Sequence, residues 1–197
     1  MGSREIFDLR RQGRQKDALE MARAQLPGNE NDIWLLRAYV WALYDHVKRP
    51  VDEYEGNRLS PSAMSRKIEP YMHEFARIAS PLRGDAAFSQ MLRLAGKVAK
   101  DWPDFLQFAR WAGTEDFASE DKVPFQNELG RKIDSLQKRF TRAICRETVA
   151  RYSDQGMDRD LISWGQDVLR RSLDEDPDDQ WLNYYQSKLD LLAGDVE

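Results

Sequence analysis

Apolar residues along most of the chain recur at three- and four-residue spacings, and no β-branched residues alternate with polar ones over four positions. The first pattern is typical of helices that bury one face, and the second would be expected of half-buried strands. Leucine and alanine also outnumber valine, isoleucine and threonine together, which favours helices over strands. The sequence therefore predicts an all-α fold of about nine helices.

Side chains that can cap a helix precede several of the apolar runs. A Ser or Asp at this position accepts hydrogen bonds from the free amides of the first turn, and proline is favoured directly after it. On this basis we predict helix starts after Asp32, Ser60, Asp85, Asp158 and Asp179. The helix after Asp32 has apolar residues on nearly every side, beginning with Trp34, so we expect it to be buried between several neighbours.

Three further segments have distinct patterns. The stretch 50–60 is polar and aperiodic, which predicts a linker. Pro70 lies inside the fourth predicted helix, where a kink or break is expected. The longest helical signal runs from Phe125 to Ser153 and predicts a central helix, with a stripe at alternating four- and three-residue spacing formed by Leu129, Ile133, Leu136 and Phe140.

Composition narrows the class of protein. The 197 residues suffice for one domain with a substantial core, and the formal net charge of -4 gives no overall attraction to nucleic acid or to an anionic membrane. The lone cysteine, Cys145, cannot form an internal disulfide, and no long apolar run appears. We therefore expect a cytoplasmic protein that does not enter a membrane.

Two distant parts of the chain carry the same pattern. In each, a helix ends in Arg-x-x-Leu, a polar turn follows, and an Asp precedes Trp-Leu. Placing Trp34 over Trp181 aligns Arg23 with Arg170, Leu26 with Leu173, Asp32 with Asp179, and Leu35 with Leu182. The two parts are interpreted as variants of one helical hairpin, and the acidic stretch 174–179 as the solvated corner of the second.

These hairpins resemble tetratricopeptide-like repeats. The resemblance rests on a small residue in one helix, Ala18 or Gly165, and on the Pro-x-Asp-x-Trp turn from Pro177 to Trp181. It covers units 4–49 and 157–194, with an irregular helical middle at 60–153, in one domain spanning 1–197. The resemblance implies an irregular right-handed solenoid or bundle, whose concave face would hold a protein partner.

No catalytic constellation is recognised in the sequence. The glycine-rich phosphate loop, the nucleophile elbow and the His-Glu-x-x-His motif are all absent. The histidines His46 and His73 are interpreted as ordinary helix side chains without a metal-ligand set, although Glu69 lies near His73, and Cys145 as a buried structural thiol. A non-enzymatic protein without cofactor or metal is expected.

One segment, 131–151, is locally basic, with seven Lys and Arg residues against two acids. On a helix, several of these cations would line up four residues apart, which is unfavourable unless a partner neutralises them. That partner could be the acidic C-terminal segment, nucleic-acid phosphate or an acidic protein. The candidate contact residues are Lys138, Arg139, Arg142 and Arg146.

A second candidate surface is aromatic. Four large side chains cover two sides of one short predicted helix, and both core packing and a protein-binding patch are open interpretations. They are Trp102, Phe105, Phe108 and Trp111.

Two functional hypotheses follow from the sequence. The first is a non-enzymatic helical scaffold that mediates protein–protein interaction, either alone or as an accessory domain of a larger bacterial protein. The alternative is a nucleic-acid-binding module that uses the basic helix 131–151, for example in a bacterial conflict or defence system.

Overall fold

The computed structural model describes residues 2–126, 128–155 and 158–194 and confirms the all-α prediction. Over these residues the helices are α1 (Gly2–Arg11), α2 (Gln15–Gln25), α3 (Ile33–Glu55), α4 (Pro61–Ile78), α5 (Ala86–Val98), α6 (Phe105–Ala112), α7 (Leu136–Gln155), α8 (Arg159–Glu175) and α9 (Gln180–Ala193). Strands β1 (Phe125–Gln126) and β2 (Lys132–Ile133) form a small antiparallel hairpin. Met157, the predicted first residue of the second repeat unit, lies outside the described residues.

The predicted caps are formed as expected. Asp32 accepts hydrogen bonds from the amides of Trp34 and Leu35 at the start of α3. Asp179 does the same for Trp181 and Leu182 at the start of α9. Single cap bonds are made by Ser60 at α4, Asp85 at α5 and Asp158 at α8.

Helix α3 is the centre of the fold, because it packs against α1, α2, α4 and α5. The main hydrophobic core extends along the chain from Ile6 to Val168. A smaller cluster joins α7, α8 and α9 through Cys145, Leu169, Leu182 and Leu189. Burial raises the pKa of the Cys145 thiol to about 12, in keeping with the interpretation of a structural thiol.

The two prolines expected to end or kink helices do not interrupt them. Helix α3 continues through Pro50 to Glu55, so the predicted linker at 50–60 is wrong over its first half. Pro50 and Val51 are buried, and burial of this apolar turn offsets the backbone hydrogen bond that proline removes. Helix α4 likewise runs without a break past Pro70.

The predicted central helix from Phe125 is also wrong for the described residues before Leu136. Phe125 pairs with Ile133 and Gln126 with Lys132 in the hairpin, and Leu129 is 76% exposed rather than part of a buried stripe. Gly130 has a φ of +72°, a value that ends a helix and suits a tight turn. The helix begins only at Leu136.

The two tryptophans that open α3 and α9 are exposed, contrary to the burial expected for them. Trp34 is 64% and Trp181 60% exposed, whereas the leucines that follow them, Leu35 and Leu182, are buried. The two turns therefore match in both cap and orientation. Whether the hairpins stack as a tetratricopeptide-like solenoid stays a prediction.

No helix among the described residues is long and apolar enough to cross a membrane.

Gly165 lies where α7, α8 and α9 meet. A Cβ atom there would be 3.0 Å from Cγ2 of Thr148 and 3.6 Å from Cδ1 of Leu189. Thr148 is fully buried, so it has little space to retreat. The glycine permits the close approach of the helices, as the sequence resemblance implied for this position.

We expect Gly165→Ala to be less stable than Gly96→Ala by about 1–3 kcal/mol, because overpacking a core costs that much. Gly96 is the matched control, since it also lies inside a helix and its Cβ would meet only Phe140 Cδ2 at 3.4 Å. Chemical denaturation of both variants measures the difference. An equal gain in stability from both substitutions would show that the approach at Gly165 is not tight.

Candidate interaction groove

Two cations of the basic helix are neutralised by acids of the chain itself. Lys138 Nζ lies 2.6 Å from Asp176 Oδ2 and also contacts Asp179. Arg142 lies 2.5 Å from Asp134 Oδ2 and 2.6 Å from Asp179 Oδ2. Internal pairing with the acidic corner, one of the three alternatives open from the sequence, therefore accounts for Lys138 and Arg142.

The carboxylate of Asp179 is the centre of this network. Its Oδ1 accepts from the amides of Trp181 and Leu182, and its Oδ2 contacts Lys138 and Arg142. Burial acts to raise its pKa, but the hydrogen bonds from Lys138, the Leu182 amide and Arg142 outweigh that effect and lower the pKa to about 2. The acidic corner is thus both a helix cap and an anchor for α7.

The other two candidate cations lie elsewhere on the helix. Arg146 is half-exposed and donates to Glu147, its neighbour in sequence, at 2.7 Å. Arg139 is exposed and turns toward α5, where it meets Arg93. The structure therefore divides the four predicted contact residues between an internal network and a different surface.

That surface is a groove between α5, the start of α7 and strand β1, which we call the Arg93–Arg139 groove. It consists of two cavities that share Arg93, Leu136 and Arg139. The larger has a volume of about 290 Å³ and is also lined by Gln90, Glu120, Asp121, Val123 and Phe125. The smaller has about 160 Å³ and is also lined by Leu92, Gly96, Lys97 and Phe140.

The smaller cavity has three basic side chains in its lining and no acidic one. Lys97 is paired with Glu55, but no carboxylate among the described residues forms an ion pair with Arg93 or Arg139. Arg93 donates a long hydrogen bond, 3.3 Å, to Gln90 Oε1. Partial burial, and then repulsion from Arg93, lower the pKa of Arg139 from its ordinary value. The charged lining of the smaller cavity is therefore basic, although Asp121, which lines the larger cavity, attracts both arginines from a distance.

The rim of the groove is apolar and open to solvent. Val123 is 56% and Phe125 48% exposed, and both line the larger cavity. The guanidinium of Arg139 lies over the Phe125 ring at 5.7 Å from its centroid. Exposed aliphatic and aromatic side chains next to arginines are typical of protein-binding surfaces.

The aromatic set predicted as a candidate patch lies in the core. Trp102, Phe105 and Phe108 are at most 6% exposed, and Trp111 is partly buried against Phe75 and Phe88. These rings contact one another across α4, α5 and α6, so core packing, and not a protein-binding surface, describes them.

Arg93 was not among the residues singled out from the sequence. It lies 46 positions before Arg139, and no local pattern links an arginine on one helix to an arginine on another. The sequence did contain one other signal, because Glu69 and His73 are four residues apart and therefore lie on the same face of a helix.

Comparisons with protein-family models, with characterised proteins and with solved structures find no match to this chain. The tetratricopeptide-like resemblance therefore stays a prediction.

We expect Asp179→Ala to lower the free energy of unfolding by about 2–4 kcal/mol, because it removes a helix cap and also the charged hydrogen bonds that its carboxylate forms with Lys138 and Arg142. Asp32→Ala is the matched control: it removes the same cap at the start of α3, and no cation of the described residues forms an ion pair with Asp32. We expect about 1 kcal/mol for this variant. Urea denaturation of both gives the comparison.

The pH dependence provides a second check. The pKa of Asp179 is about 2 in the folded protein and has an ordinary value of 3.8, so its contribution is complete above the ordinary value and is lost as the pH falls through about 2. The stability difference between wild type and Asp179→Ala should shrink over that range. A difference independent of pH would contradict the charge network.

Proposed function

We propose that the protein is a non-enzymatic interaction module that binds an acidic segment of a protein partner in the Arg93–Arg139 groove. The observation that carries the proposal is the pair of guanidinium groups in one recess, without an ion-pair partner among the described residues. Elsewhere on the basic helix, Lys138 and Arg142 do have such partners.

Chemistry favours a carboxylate as the ligand of this recess. Guanidinium groups present several N–H donors in a plane and bind carboxylates in a bidentate manner. Two neighbouring cations repel each other, so a bound anion relieves a cost that the free protein bears. The smaller cavity contributes no acid of its own, whereas Glu120 and Asp121 line only the larger one.

The apolar rim favours a protein segment over a small anion. Val123 and Phe125, which line the larger cavity, offer exposed apolar surface next to the recess, which suits hydrophobic residues flanking an acidic side chain. Burial of such surface contributes roughly 25 cal/mol per Å² removed from water. We also propose that a tetratricopeptide-like scaffold carries the groove, which agrees with binding to a protein partner. A cytoplasmic location is proposed as well, because the single cysteine, Cys145, is a buried free thiol.

The nucleic-acid alternative has less support. Binding to phosphates needs a row of available cations, but Lys138 and Arg142 are already paired with Asp134, Asp176 and Asp179. Of the other two predicted contact residues, Arg146 is half-exposed but pairs with Glu147, and Arg139 lies in the groove. We therefore treat nucleic-acid binding as an outcome that the experiment must distinguish.

Random peptides displayed on phage and selected against the wild-type protein should be enriched in Asp or Glu next to hydrophobic residues. A synthetic peptide from that selection should bind about tenfold more weakly or worse to Arg93→Glu and to Arg139→Glu, since losing a charged hydrogen-bonded pair costs more than 1.4 kcal/mol. Fluorescence anisotropy measures the affinities.

Arg170→Glu is the matched control, because it makes the same charge change at an exposed arginine of α8. It should bind the peptide as wild type does. Labelled single- and double-stranded oligonucleotides should show no binding that depends on Arg139. The proposal would be overturned by peptides that bind wild type and the Arg93→Glu, Arg139→Glu and Arg170→Glu variants equally. It would also be overturned by oligonucleotides that bind wild type and lose that binding in Arg139→Glu and Arg146→Glu.

A further inference from the structure

Three side chains with metal-ligating atoms meet where α4 contacts α6. Glu69 and His73 lie four residues apart on α4, and Asp104 immediately precedes α6. One ligand atom from each lies within 4.8 Å of the other two. We infer that Glu69, His73 and Asp104 form a binding site for a divalent transition-metal ion such as Zn²⁺, independent of the proposed groove function.

The spacing on α4 gives the first two ligands. Residues four apart lie on the same face of a helix, one above the other, so a glutamate and a histidine at this spacing can share one ion. The sequence interpretation placed His73 outside any ligand set, although Glu69 is one turn before it. The third ligand could not be deduced from sequence, because Asp104 comes from another helix.

The distance between the ligand atoms of His73 and Asp104 is close to the distance that a bound ion requires. His73 Nε2 lies 3.7 Å from Asp104 Oδ2. Ligand atoms that each lie about 2.0–2.2 Å from a tetrahedral ion are about 3.3–3.6 Å apart. His73 and Asp104 have side chains that are 63% and 41% exposed, so a small rotation of their free ends can close the remaining gap.

Asp104 differs from every other aspartate that begins a helix in the described chain. Asp32, Asp85, Asp158 and Asp179 all accept a hydrogen bond from their own first turn. Asp104 makes no such cap bond, and its carboxylate instead lies near His73. The carboxylate oxygens of Asp104 therefore accept no hydrogen bond from the first turn of α6.

Glu69 is equally available. Among the described residues it forms no ion pair, in contrast to Glu74 on the same helix, which binds Arg23 and Tyr39. An imidazole nitrogen with two carboxylate oxygens suits Zn²⁺ and its first-row neighbours better than Ca²⁺ or Mg²⁺, which prefer oxygen ligands alone. Three protein ligands leave coordination positions for water, and the ion would tie α4 to the start of α6.

Zinc titration followed by NMR tests the site, in protein free of any purification tag. The chain has only two histidines, and the imidazole signals of His73 should shift on adding Zn²⁺ while those of His46 do not. His46 stacks on Tyr71 at 4.9 Å and is not in the ligand set. Zinc at about ten times its Kd should also raise Tm by about 3–6 °C.

Substitutions separate this site from adventitious binding. Glu69→Gln, His73→Ala and Asp104→Asn should each weaken zinc binding, measured by calorimetry, by about tenfold or more, as loss of one ligand commonly does. His46→Ala and Glu20→Gln are the controls, a histidine outside the set and an exposed helix glutamate on α2. Both should bind zinc as wild type does.

Three results would overturn the inference. The first is wild-type protein that binds no zinc at micromolar concentrations. The second is binding that survives His73→Ala, which would place the ion elsewhere. The third is binding lost with His73→Ala but unchanged in both Glu69→Gln and Asp104→Asn, which would mean that a single imidazole holds an adventitious ion only.

Discussion

The C-terminal half of the molecule depends on one buried carboxylate. The two oxygens of Asp179 contact different groups. Oδ1 caps α9, and Oδ2 binds Lys138 and Arg142 of α7. The ion pairs hold one side of α7 at the acidic corner, while the buried side chains of Phe140 and Ile144 hold another side in the core. The next residue after Lys138 points about 100° further round the helix, so Arg139 faces α5, where the packing of α5 on α7 places it beside Arg93. The groove therefore agrees with both the ion network and the packing of the core.

Features that depend on a few neighbouring residues could be predicted from the sequence. The caps at Asp32 and Asp179 are of this kind, because a short polar side chain before an apolar run can accept hydrogen bonds from the free amides of the first helical turn. The repeat of the Asp-x-Trp-Leu pattern likewise predicted two matching turns. The pairing of basic helix and acidic corner was one of several alternatives, because opposite net charges show that segments can attract but not that they meet. The packing of α7 against α8 and α9 brings the two segments together.

Features that depend on distant residues could not be predicted. The stripe from Leu129 to Phe140 fits a helix, but Gly130 adopts a positive φ, and the start of the stripe finds no core to cover. Arg93 and Arg139 repel each other, so no local preference brings them together; their approach is imposed by the packing of α5 on α7. Asp104 near His73 is a similar case.

The hairpin explains how the fold tolerates the two arginines. If 125–135 had been helical, Phe125 would have faced a different surface and Arg139 would have lacked the ring beneath it. In the observed fold the guanidinium of Arg139 lies 5.7 Å from the Phe125 centroid, and such contacts contribute roughly 0.5–1 kcal/mol at exposed sites. This offsets the few tenths of a kcal/mol that a like-charge neighbour typically costs at a surface. A stacked guanidinium uses its face and keeps its N–H edge for hydrogen bonds, so the contact that stabilises Arg139 also leaves it able to bind a carboxylate.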